Sequence, residues 1–86
     1  MQNHSKELRL IRKNLTKYIE KMDVYYAAVN VQDHKISNRK ETGGKLGAAK
    51  RFYNQALKYK NQINLSDSLW AATLAELQLE HRNKKA

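Results

Sequence analysis

The chain has 86 residues and carries 17 Lys and Arg against 8 Asp and Glu, a net charge of +9 with an isoelectric point near 9.9. This length suits one domain spanning 1–86, and the absence of cysteine excludes disulfides, thiolate metal sites and a thiol nucleophile. The first residues lack the apolar stretch of a secretory leader, and the longest apolar run, Val24 to Val29, is far short of the ~20 residues needed for a membrane span. The expected location is therefore the cytoplasm.

With no proline and its three glycines confined to 43–47, the chain reads as helix over most of its length. Leu8, Ile11, Leu15, Tyr18, Met22, Tyr25 and Val29 recur at three- and four-residue intervals, the spacing of one buried stripe. They predict a first helix over about 5–32, with Ser5 as N-cap. At 1.5 Å per residue it would extend roughly 42 Å, more than a bundle of this mass requires. An overhang or a homodimer surface follows as an expectation. Residues 33–44 are polar, basic and end in two glycines, which predicts a loop.

A second helix is predicted over about 45–63, with Ala49, Phe52, Ala56, Tyr59 and Ile63 facing inward and Tyr53 and Leu57 at the margin. Ser66 reads as the N-cap of a third helix over about 67–82. Leu65 before it and Trp70 in its first turn have the spacing of a hydrophobic staple. Trp70, Thr73, Leu74, Leu77 and His81 form the predicted inner face of that helix, and 83–86 are expected to fray. The fold expected is a small all-α three-helix bundle, with Tyr26 and Tyr53 as the aromatics most exposed.

Charge is distributed unevenly along this scheme. Residues 1–64 hold the whole excess of +9, whereas 65–86 balance Asp67, Glu76 and Glu80 against Arg82, Lys84 and Lys85. Arg9, Lys13, Lys17 and Lys21 form a like-charge row at four-residue steps, which opposes helix formation unless an anion relieves it. Between 34 and 60 lie Lys35, Arg39, Lys40, Lys45, Lys50, Arg51, Lys58 and Lys60 against Glu41 alone. Such concentration is the electrostatic footprint of a protein that binds DNA or RNA through phosphates. The predicted contacts are Lys13, Lys17, Arg39, Lys40, Lys45, Lys50, Arg51 and Lys58. Asn54, Gln55, Asn61 and Gln62 are polar candidates for base edges.

The segment Thr42-Gly43-Gly44-Lys45-Leu46-Gly47, if it leads into a helix, would turn unpaired amides toward a phosphate. It is not a nucleotide-hydrolysing P-loop, which would need Gly at 39 and Ser or Thr at 46. His4, His34 and His81 are too scattered to hold zinc on one helix face, and Glu76 and Glu80 read as an acidic solvent face. No catalytic constellation emerges, so a non-enzyme without metal or cofactor is expected. The competing reading is an inhibitor or adaptor that meets an acidic protein partner through the helix 1 stripe or the Trp70 face.

Overall fold

In the computed structural model the described residues are 4–32 and 39–85, with side chains described for 4–27, 44 and 46–84. Three helices follow one another: α1 (Ser5–Gln32), α2 (Arg39–Gln62) and α3 (Asp67–Lys85). No strand occurs among the described residues, and α1 packs against both other helices. The Cα radius of gyration is 15.1 Å, against about 12 Å for a compact chain of this length. Elongation leaves a core only one layer deep.

That core is built on α1. Ile11, Leu15 and Ile19 recur every four residues, and each is buried. They meet Ala56 of α2 and Trp70 and Leu77 of α3, with Tyr18, Tyr53, Leu57, Tyr59, Ile63, Leu65 and Leu74 packed around them. Burying Ile11 and Leu15 contributes roughly 1.5–3 kcal/mol each. The predicted stripe is therefore shifted: Leu8 is 41% exposed, while Ile19, outside the stripe, is in the core. Two helices pack on α1 instead of one, so its buried surface turns toward both. Tyr53, predicted to be exposed, is instead half-buried between Tyr18, 4.9 Å away between ring centres, and Trp70, 5.6 Å away and edge-on. Tyr26 is exposed as predicted, at 58%.

One helix cap and two helix boundaries differ from those expected. Helix α1 is capped at His4, whose carbonyl accepts from the Leu8 amide at 2.8 Å, so Ser5 is its first helical residue instead of its cap. Helix α2 starts at Arg39, six residues before the predicted Lys45, and residues 39–44 are helix where a loop was expected. Glycine weakens a helix by about 1 kcal/mol without forbidding it, and none of the described glycines takes a positive φ. Much of the α1 length that seemed to overhang is thereby matched by α2. Helix α3 continues to Lys85, so 83–85 extend it where a frayed tail was expected. The rest of the predicted loop, 33–38, lies outside the described residues.

The α2–α3 turn behaves as the sequence implies. Asn64 adopts the left-handed conformation (φ 53°), which Asn tolerates better than most side chains. The Leu65 amide donates to the Lys60 carbonyl at 3.0 Å and the Asn64 amide to the Asn61 carbonyl at 3.3 Å. These two bonds constitute a Schellman ending. Ser66 follows at once as N-cap, its hydroxyl oxygen accepting from the Leu69 amide at 3.2 Å. Leu65 packs on the core that contains Trp70, completing the staple.

Trp70 is 8% exposed and joins the turn, α2 and the α1 ridge. Trp70→Ala is expected to cost about 3–5 kcal/mol, a large part of the roughly 4–13 kcal/mol available to a domain of this size. Urea unfolding followed by circular dichroism checks this, and a loss of less than ~1 kcal/mol would contradict its place in the core.

Candidate nucleic-acid interface

Placing the Ile11–Leu15–Ile19 ridge inward fixes what lies on either flank of α1. On the flank toward α3 is Arg12, whose Nη2 donates to Glu76 Oε1 at 2.9 Å and lies 3.8 Å from Glu80 Oε1. These groups are about half exposed, so the pairs contribute no more than ~1 kcal/mol each. Their larger effect is on charge, since both glutamates of the expected acidic face are matched by a cation from α1. Lower on the same seam, His81 Nε2 sits 3.5 Å from Asp23 Oδ2. The Nε2 atom is buried and has no hydrogen-bond partner among the described residues.

Asp67, at the start of α3, is held by Lys60 Nζ at 2.9 Å. The Lys60 side chain is only 15% exposed, and its ammonium lies 6.0 Å from the Trp70 ring centre. A hydrogen bond from Lys60, together with its charge, lowers the Asp67 carboxyl below the ordinary aspartate range. Lys60 is thus committed to the turn. Burial, assisted by the neighbouring Tyr53 and Tyr26, raises the Tyr18 phenol above its ordinary value and keeps it protonated.

The opposite flank of α1 faces α2, and among the described residues no ion pair joins these two helices. Asn14 and Lys21 of α1, with Ala48, Arg51, Phe52 and Gln55 of α2, line an open groove of about 480 Å³. Lys17 lies one turn from Lys21, and Lys58 lies two turns from Arg51 on the same face of α2. Lys17 has a loose contact with Glu20 at 3.7 Å. Among the described residues, a Cβ added to Gly47 or Gly44 would meet nothing within 4 Å.

The predicted contact residues are thus only partly brought together. Lys13, Lys17, Lys50, Arg51 and Lys58 are all exposed, and among the described residues Lys13, Lys50, Arg51 and Lys58 have no carboxylate within ion-pair distance. Arg51 lines the groove, whereas Lys50 lines a separate groove with Tyr18, Met22, Leu46, Tyr53, Asn54 and Leu74. The side chains of Arg39, Lys40 and Lys45 lie outside those described. The phosphate cradle expected at 42–47 is overturned, because that segment is inside α2 and its amides from Gly43 onward face backward along a helix that begins at Arg39. Sequence reading overlooked Asn14 and Phe52 as site residues, and it placed Phe52 in the core. Among the described residues no group of three metal-ligating side chains occurs, and no helix is long and apolar enough to cross a membrane.

No known protein family, curated protein or solved structure matches the chain significantly.

The Lys60–Asp67 pair generates a pH dependence with a definite sign. Because the folded-state pKa of Asp67 is lowered, its contribution is fully present above the unfolded value of about 3.9 and is lost as pH falls through the lowered value. An NMR titration of the Asp67 carboxyl is expected to show a midpoint below the ordinary aspartate range, returning toward it in Lys60→Met. An ordinary midpoint in the unmodified protein would contradict the pairing.

Proposed function

We propose that this is a nucleic-acid-binding protein, not an enzyme, which holds the phosphate backbone of DNA or RNA along the α1–α2 side of the bundle. The observation that carries the reading is the contrast between carboxylates that are paired and exposed cations that are not. Carboxylates Glu76, Glu80 and Asp67 are engaged by Arg12 and Lys60, while Lys13, Lys50, Arg51 and Lys58 remain exposed without such partners among the described residues. A surface left cationic after internal pairing attracts a polyanion and gains entropy from the counterions that the polyanion releases. The lack of cysteine suits a reducing compartment such as the cytoplasm.

The inhibitor or adaptor reading draws less support from the packing. Its two docking faces are partly used within the chain: Ile11 and Leu15 of the stripe are core residues, and Trp70 packs against Tyr53. An acidic protein partner meeting the cations is the form of that reading still open. A homodimer would present two basic seams to one strand and raise affinity through avidity.

Fluorescence anisotropy with labelled DNA and RNA at a series of salt concentrations tests the proposal. Affinity is expected to fall steeply with salt, and Lys50→Glu/Arg51→Glu and Lys13→Glu/Lys17→Glu should each weaken binding with helical content intact. For every phosphate contact removed, the slope of log affinity against log salt should diminish by about 0.7–0.9. Binding that is absent at low salt, or indifferent to both double changes, would overturn the reading.

A further inference from the structure

The groove between α1 and α2 contains more than positive charge. Phe52 is half-buried, yet it is not among the side chains packed on the core cluster, unlike Tyr53, Leu57 and Tyr59 of the same helix. It lies instead in the groove wall with Lys21 and Arg51, and with the amides Asn14 and Gln55. An aromatic face flanked by cations and amides has the constituents of a site for one base and its phosphates.

Resting on the phosphate-binding reading above, we propose that this groove receives an unpaired nucleobase and that the protein prefers single-stranded to duplex nucleic acid. In a duplex each base has its faces covered by its neighbours and its pairing edge occupied, so it cannot enter a groove between two helices without being unstacked. In a single strand the base can lie against Phe52 while Lys21 and Arg51 neutralise the adjoining phosphates. The groove, at about 480 Å³, falls within the ~300–1,000 Å³ range of small-ligand sites.

The amides add hydrogen-bonding capacity for the edge of the base. Asn14 Nδ2 donates to the Leu10 carbonyl at 2.8 Å, and Gln55 Nε2 donates to the Tyr59 hydroxyl at 3.4 Å. Each amide keeps its second N–H and its carbonyl oxygen for a ligand. An amide with both capacities can meet the pairing edge of any unpaired base, whose ring and exocyclic groups supply donors and acceptors.

The test compares equal-length oligo(dA), oligo(dT), a mixed-sequence duplex and adenosine monophosphate against the whole chain by anisotropy or calorimetry. Both single strands are expected to bind more tightly than the duplex, with the mononucleotide far weaker because it lacks the flanking phosphates. Phe52→Leu, which keeps an apolar side chain in the wall, should weaken oligo(dA) binding about tenfold and leave duplex binding and the salt slope unchanged. Gln55→Leu should weaken binding of both single strands without affecting the fold. Lys21→Ala/Arg51→Ala should instead reduce the salt slope for every strand.

If Phe52→Leu and Gln55→Leu leave oligo(dA) binding unchanged while Lys21→Ala/Arg51→Ala weakens it, the base site is refuted and phosphate binding stands. Equal or tighter binding of the duplex refutes the strand preference, and mononucleotide binding as tight as oligo(dA) refutes a strand as the ligand. No binding of any nucleic acid at low salt removes both proposals.

Discussion

The ridge Ile11–Leu15–Ile19 is the constraint on which the other features depend. Three β- or γ-branched side chains four residues apart make a narrow apolar line, and both remaining helices must bury their own apolar residues against it. Once α1 is divided by that line, its polar residues are sorted without further choice. Arg12 and Asp23 fall on the α3 side, where carboxylates and an imidazole await them. Asn14 and Lys21 fall on the α2 side, opposite Arg51 and Gln55. Pairing of the α3 carboxylates is therefore a consequence of packing, and the weak exposed ion pairs matter less for stability than for the cations they leave unmatched.

The same ridge accounts for the small core. An elongated bundle exposes much surface and buries few side chains, so the α2–α3 turn carries weight beyond its length. Asn64 in the left-handed conformation, the Schellman bonds and the Ser66 cap satisfy backbone groups that would otherwise be orphaned between two helices. They set α3 at an angle that delivers Trp70 to Tyr53 and Leu77 to the ridge. Lys60 contributes from beneath, between Asp67 and the Trp70 ring.

What the sequence made legible was local. The three helices, the Ser66 cap and the Leu65–Trp70 staple all depend on residues within a turn or two of one another, and periodicity and capping chemistry report such relations directly. The start of α2 was hidden because glycine propensity speaks for a loop, although the flanking residues carry the helix through to Arg39. Ile19 was hidden because a single-stripe pattern assumes one packing partner. Tyr53 and Phe52 exchanged their expected roles for a similar reason: adjacent on α2, they face different neighbours, and only the placement of α3 decides which one is covered. Arg12 meets Glu76 across 64 residues of sequence, a separation that no local pattern reports. Of the candidate site, the exposed cations were legible from composition, whereas their division between two grooves and the amides beside them needed the fold.

The central claim is that the α1–α2 seam, and not α3, is the ligand-binding surface. Its most direct test is a ¹H–¹⁵N NMR titration of the labelled protein with a short single-stranded oligonucleotide. The account predicts that the amide resonances of Asn14, Lys21, Arg51 and Gln55 shift in proportion to saturation, while those of Glu76 and Leu79 on α3 stay in place. Shifts centred on α3, or a spectrum unchanged by excess oligonucleotide at low salt, would contradict it.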